Sequence, residues 1–543
     1  MNISRIDFAF APFSEITLSR KTPTFAFLFE EQKDAVIAEH FPELEEKRKM
    51  LDKVAMRGDE VAWVQMAQRN GKLCAIGAIY VEYPWKKRKK FNVGSINFIR
   101  EVSRCTVLAT ETARKQKFES MNVLLPDRFS PRNVKSRHQR RDLVSFVRSV
   151  IDSIIYANNS YDDLLTDPDP KIKEVTVYFF GEGQPALDGF FRKAIGDGEQ
   201  IGNALAEVRH LIETPPNKKT PLLFLEKLLR QPLVAASEDV NLTNGFRKMQ
   251  ISSCITASVL YGLEALESKG FGLISAVGKG SRHEPCFLVL HYQPQTKREK
   301  RVRRIALIGK GVTFDTGGVD LKGTDSYTNM HFDMAGAANV AGVLRLAEEA
   351  NLAVELYAVI PIVENTLGSS AVHPHSVVKA YDGKTVEIIN TDCEGRLILA
   401  DAIAYSEAKI KPDVTITVGT LGDMGDFGHD FLKVVATTPV LERKVRVAEY
   451  ASAEKVLLFP RMDYYNHIDN AHVGATADLV NDIKNPGCYH MAPIVFLYNF
   501  FVYQNTNWIF VDPSAIFEEW APVFGAGPGF GLRFLWHLVE QFA

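Results

Sequence analysis

Two short stretches of this 543-residue chain gather the residue types that do chemistry. Gly309-Lys310-Gly311-Val312-Thr313-Phe314-Asp315-Thr316-Gly317-Gly318 follows one apolar run, and Asn390-Thr391-Asp392-Cys393-Glu394-Gly395-Arg396-Leu397 follows another. Lys322 and Asp333 lie between them, Asp333 just before the small-residue run Ala335-Gly336-Ala337-Ala338. The first stretch is not a phosphate-binding loop. The spacing G-x-x-x-x-G-K-[ST] is missing there and also at Gly278-Lys279-Gly280-Ser281. What remains is a lysine and a set of acids read at strand ends: Asp315, Asp333, Asp392 and Glu394. Carboxylates converging on one sheet edge repel each other unless cations sit between them. An oxygen-rich set with one nitrogen suits hard or borderline divalent ions such as Zn²⁺, Mn²⁺ or Mg²⁺. Four carboxylates suffice for two ions that share a bridging hydroxide. Any one of these acids alone reads as a helix cap or a surface loop; only the joint pattern carries the metal reading. His373-Pro374-His375 reads as a loop before a strand, not as a ligand pair.

The elements that must position these residues alternate along the chain. Ile305–Ile308, Val354–Ile360, Val386–Ile389, Val414–Val418 and Val434–Thr438 are short β-branched runs. Ala335–Ala350 and Leu397–Lys409 have helical patterning between them. Such alternation predicts a mostly parallel central sheet covered by helices, with ligands bound beyond the carboxyl ends of its strands. Upstream, Val61–Ala67 and Leu73–Val81 predict two strands around the turn Arg69-Asn70-Gly71. Leu143, Val147, Val150, Ile151, Ile154 and Ile155 recur at helical spacing, and Val175–Phe180 predicts another strand. The expected organisation is a smaller N-terminal α/β domain over 1–184, a linking helix over 185–213 and a larger C-terminal catalytic α/β domain over 214–543. Thr214-Pro215-Pro216-Asn217 should end the linking helix, because proline cannot continue one.

Composition narrows the function classes. Hydrophobic residues make up 46% and charged residues 24%, the profile of a globular protein. The net charge of -2 gives no global field toward nucleic acid or an anionic membrane. Lys86–Lys90, Arg132–Arg141 and Lys297–Arg304 are basic clusters, read as solvated loops balanced by nearby acids. Six cysteines form no C-x-x-C pair, so neither a zinc-thiolate site nor a disulfide framework is expected. No basic-then-apolar leader and no run of about 18 apolar residues is present, so a cytoplasmic location is expected.

Lys310–Gly318 and Asn390–Leu397 resemble the two signatures of the leucyl (cytosol) aminopeptidase family. The second differs from the family's usual NTDAEGRL only at Cys393. The intervals from Lys310 to Asp315, Lys322, Asp333 and Asp392 also agree with the family pattern. Glu213–Pro221, Ala477-Asp478 with Asn481, and Gly529–Arg533 add support, so the resemblance runs from about residue 200 to the end.

The resemblance implies an aminopeptidase that releases N-terminal residues, leucine and similar ones, by two-metal hydrolysis with a bridging hydroxide nucleophile. It implies that Lys310, Asp315, Asp333 and Glu394 hold one divalent ion and Asp315, Asp392 and Glu394 the other. Zn²⁺ or Mn²⁺ is implied, with Co²⁺ or Mg²⁺ as alternatives. Lys310 must then ligate as a neutral amine, which a neighbouring cation enforces. Lys322 is implied to stabilise the oxyanion, Arg396 to hold bicarbonate, and Met330 to line the substrate pocket. Peptide substrates and a homohexamer are implied as well. The family's usual TLTG reads Thr420-Leu421-Gly422-Asp423 here, with Asp426 and Asp430 following, so the chain departs at Gly422 and Asp423 in a segment that borders the substrate cleft; Thr420, Leu421 and Asp423 are the expected substrate contacts. A nucleic-acid-binding or scaffolding protein that kept the fold is the alternative reading.

Overall fold

The computed structural model describes residues 6–12, 24–29, 61–69, 72–81, 96–125, 137–179, 185–233, 245–295, 301–422, 430–461, 472–483, 489–502, 506–517 and 527–543. The chain divides into two compact units, Met1–Arg209 and His210–Ala543. The break falls within one long helix, Pro185–Glu213, which ends at the Thr214-Pro215-Pro216 turn.

Among the described residues the first unit holds six strands: β1 (Asp7–Pro12), β2 (Thr24–Phe29), β3 (Val61–Arg69), β4 (Lys72–Val81), β5 (Ser120–Leu124) and β6 (Glu174–Phe179). Their order is β1-β6-β5-β2-β4-β3, parallel except for the β3–β4 hairpin. Asn70 and Gly71 of the expected turn lie outside the described residues. The helix Arg137–Asn158 buries Leu143, Val147, Val150, Ile151, Ile154 and Ile155, the stripe its sequence spacing predicts.

The second unit is built on a ten-stranded sheet. Its strands are β7 (Arg247–Gln250), β8 (Ile255–Tyr261), β9 (Cys286–Tyr292), β10 (Arg304–Gly309), β11 (Gly311–Asp315), β12 (Glu355–Asn365), β15 (Val414–Val418), β16 (Phe431–Ala436), β17 (Lys455–Leu458) and β19 (Trp508–Asp512). The middle run β19-β15-β10-β12 is parallel throughout, and β11 pairs in parallel with the far end of β12. Antiparallel pairs flank it: β12–β9–β8–β7 on one side and β19–β16 on the other. All five residues of β15 and nearly all of β10 are buried, as strands covered on both faces must be.

Three expectations shift. Val386–Ile389 lies not in this sheet but in a small one, where β14 (Thr385–Ile388) pairs with β13 (Ser376–Lys379) and β18 (Leu479–Val480). Its alternating burial suits a sheet covered on one face. The strand expected over Val434–Thr438 is Phe431–Ala436, because Thr438 instead caps the helix Pro439–Ser452 by accepting from Leu441 N. The helix expected over Leu397–Lys409 begins earlier, at Glu394, and its last turn, Ser406–Ile410, widens to π geometry.

Candidate active site

The carboxyl ends of the parallel strands deliver the chemistry. Lys310 directly follows β10, and Asp315 closes β11. Asp333 and Glu394 are not at strand ends. Asp333 sits between the tight turn Met330–Phe332 and the helix Ala335–Glu349, and Glu394 opens the helix Glu394–Tyr405. These side chains still meet. Ligand oxygens of Asp315, Asp392 and Glu394 lie within 4.8 Å of one another. Lys310 Nζ joins Asp333 to that group, 2.8 Å from Asp333 Oδ1 and 2.8 Å from Glu394 Oε1. Lys322 Nζ lies 2.8 Å from Asp315 Oδ2 and also contacts Asp392 Oδ1. Two ammonium groups therefore sit among four acids.

Electrostatics shows why such a cluster calls for cations. Burial, then the charges of Asp315 and Glu394, push Asp392 up to about 7. Burial also raises Asp333 well above the ordinary carboxylate range; Lys310 opposes this, while Glu394 and Asp315 add to it. For Lys310 burial disfavours the charge, but Asp333, Glu394 and Asp315 outweigh it and raise the pKa. Lys322 behaves alike under Asp315, Glu394 and Asp392. A neutral Lys310 amine would thus require added positive charge beside it to offset the pull of the acids. The donor set fits divalent cations on a second count: Asp333 Oδ2 is buried and has no hydrogen-bond partner. An acid oxygen in that state is costly unless something positive meets it.

Neutral neighbours fix the acids. Asn365, ending β12, donates from Nδ2 to Asp315 Oδ1 at 2.8 Å. Thr391 and Asp320 bond reciprocally: Thr391 N donates to Asp320 Oδ2 at 2.7 Å, and Asp320 N donates to Thr391 Oγ1 at 2.9 Å. Thr391 Oγ1 also donates to Gly317 O at 2.6 Å. Gly317 and Gly318 take φ of 88° and 69°, the left-handed region that lets the chain reverse beside Asp315. A Cβ on Gly395 would stand 2.7 Å from Lys310 Nζ and 2.6 Å from Leu421 Cδ2, so a larger residue there would push Lys310 or Leu421 aside. Asn481 holds the other signature in place. Its Oδ1 accepts from Ile389 N at 2.8 Å, its Nδ2 donates to Asn390 O at 2.7 Å, and its backbone O accepts from Arg396 Nη1 at 2.8 Å.

The cluster floors a cavity of about 690 Å³, which Lys322, Arg396, Met330, Thr420, Leu421 and Phe517 also line. Thr420 serves the cluster directly: its backbone O accepts from Lys310 Nζ at 2.8 Å, and its Oγ1 donates to Asp333 Oδ1 at 2.6 Å. Asp423 and Asp426 lie outside the described residues. Asp430 is paired with Lys455 at 2.8 Å, at the edge of the sheet. Of the supporting cast, the sequence pattern did not single out Asn365, Asp320 or Asp512, and it held Lys219 only within Glu213–Pro221. Asp512 accepts from Gly422 N at 3.1 Å and steadies the loop after Thr420. Lys219, almost fully buried, donates to Ile212 O at 2.6 Å and to His331 O at 2.7 Å, next to Met330. Asn365 and Asp512 had a visible signal, a polar residue ending an apolar run. Lys219 had no signal beyond its place in Glu213–Pro221, because its partners, three backbone carbonyls and Met334 Sδ, are not written in its spacing. His375, with its ring 2.8 Å from Glu387 and mostly exposed, takes no part.

A family model for the cytosol aminopeptidase family, catalytic domain, matches residues 206–536. A probable cytosol aminopeptidase of Syntrophotalea carbinolica is 30% identical over 411 residues, 74% of this chain and 76% of the relative. One of Chlamydia trachomatis serovar D is 30% identical over 469 residues, 84% and 86%. Among solved structures, the bottromycin maturation enzyme BotP in complex with Mn superposes with a TM-score of 0.73 at 20% identity. That match covers 96% of this chain and 99% of that one and expresses a shared fold. The chain belongs to the cytosol aminopeptidase family, which places it among the metal-dependent aminopeptidases.

Proposed function

We propose that this chain releases N-terminal residues, leucine and similar ones, from peptides by two-metal hydrolysis. Lys310, Asp315, Asp333 and Glu394 would hold one divalent ion, and Asp315, Asp392 and Glu394 the other. Bound there, the ions supply Lewis acidity and an activated water. The rest falls to the protein. Lys322, which contacts Asp315 and Asp392, would stabilise the negative charge that develops on the scissile carbonyl oxygen. Thr420 orients Lys310 and Asp333 through one hydrogen bond each. Arg396 lines the cavity and makes hydrogen bonds only through Nη1 among the described residues, which leaves Nε and Nη2 for a planar anion such as bicarbonate. Met330 and Leu421 offer apolar surface for the first side chain.

The observation that carries this reading is the buried, unpartnered Asp333 Oδ2 within a cluster of four acids. The manganese named with BotP supports Mn²⁺ as one occupant, with Zn²⁺ the other leading ion. A homohexamer and a cytosolic location belong to the same reading and rest on family membership. The nucleic-acid or scaffolding alternative has less behind it. Of the three basic clusters, residues 86–90, 132–136 and 297–300 lie outside the described residues. Arg301 and Arg304 are paired with Asp413 and Glu355. Among the described residues no helix is long and apolar enough to cross a membrane. Chelation should abolish hydrolysis of a leucine-amide reporter, and Mn²⁺, Co²⁺ or Zn²⁺ should restore it. Full activity in rigorously metal-free protein would sink the two-metal reading.

A further inference from the structure

Arg396 is gripped by a carboxylate as well as by a carbonyl. Its Nη1 donates to Asn481 O at 2.8 Å and lies 3.2 Å from Asp482 Oδ1. The second oxygen of Asp482 accepts from Asn390 Nδ2 at 3.0 Å. Asp482 is therefore tied at both oxygens and cannot swing away without losing a hydrogen bond. The Arg396 side chain is 8% exposed and that of Asp482 28%, so water screens the pair less than on an open surface. The remaining donors, Nε and Nη2, share one edge of the guanidinium and make no hydrogen bond among the described residues. An oxyanion docks two oxygens on such an edge. The neutral Asn481 carbonyl already anchors Nη1, so the distinctive contribution of Asp482 is its negative charge.

We propose that Asp482 is a positioning residue that turns the free edge of Arg396 toward the cavity and weakens its hold on an oxyanion, so that bicarbonate exchanges readily. This rests on the reading of Arg396 as the anion-binding group. The test uses the full-length, metal-loaded protein in carbonate-free buffer. Bicarbonate is titrated into wild type, Asp482→Asn and Asp482→Glu while its binding is read directly by calorimetry and hydrolysis of a leucine-amide reporter is followed in parallel. Asp482→Asn should lower the half-saturating bicarbonate concentration about five- to tenfold, and Asp482→Glu, which keeps the charge, should stay within about twofold of wild type. The plateau rate should change less than the midpoint. A lower plateau with an unmoved midpoint in Asp482→Asn would show a merely structural role and overturn the inference, while the anion reading of Arg396 stands. No response to bicarbonate in wild type or either variant would overturn both.

Discussion

The two larger sheets among the described residues, of six and ten strands, are built alike and end differently. In the first unit, β5 and β6 run out in Leu124-Leu125 and Tyr178-Phe179, and β4 in Tyr80-Val81. In the second, β10, β11, β12 and β19 run out in Lys310, Asp315, Asn365 and Asp512. Parallel strands with helices are common to both, so the architecture does not make the site. The residues at the carboxyl ends do, together with Asp333, Asp392 and Glu394 from the turns and helix start beyond them.

Truncating one strand end in each sheet should produce two different failures. Asp315→Ala removes a carboxylate shared by both expected ions. It should lose metal by elemental analysis and lower kcat/KM by about 10³-fold or more, since the ions supply several kcal/mol. Leu124→Ala, at a buried strand end of the first unit, should instead cost about 2–5 kcal/mol of that unit's stability and leave kcat per folded chain unchanged. Two metals retained in Asp315→Ala would refute the ligand assignment.

A smaller effect separates holding metal from doing chemistry within the second sheet's site. Lys322 touches Asp315 and Asp392, as a cation among the acids would. Its expected work is on the developing oxyanion. Lys322→Ala should therefore lower kcat by about 10²-fold, the cost of one such donor, with both metals still bound. Loss of metal in step with activity would make Lys322 a structural counter-charge instead.

The two signatures, the acids and both lysines were legible because their residue types have few other uses in that company. The second-unit strands were legible from β-branched runs buried on both faces. The small sheet of β13, β14 and β18 was not, because the four-residue run Thr385–Ile388 reads the same whichever sheet receives it. Asp333 was misplaced for a similar reason. A turn as short as Met330–Phe332 has no periodicity to announce it. Asn365, Asp482 and Lys219 act through long-range contacts that sequence spacing does not encode.

The smallest effect lies behind the site, in the helix that carries Glu394 and Arg396. Asp401 is fully buried on that helix and accepts three backbone N–H groups, from Leu273 at 2.9 Å, Ile274 at 3.1 Å and Tyr381 at 2.8 Å. Burial nevertheless pushes it up to about 7, with the three donors opposing. Between an unfolded value of about 4 and that folded value, the native state binds more protons than the unfolded chain. The contribution of Asp401 to stability is therefore full below about pH 4 and is lost as pH rises toward 7. Asp401→Asn cannot ionise, and its amide meets backbone donors with donors of its own, so it should be less stable throughout. The gap in melting temperature between wild type and Asp401→Asn should narrow by a few degrees from about pH 5 to about pH 8. A gap that widens over that range would mean that the three N–H donors outweigh burial and hold Asp401 as a carboxylate, fixing the back of the catalytic helix by charge.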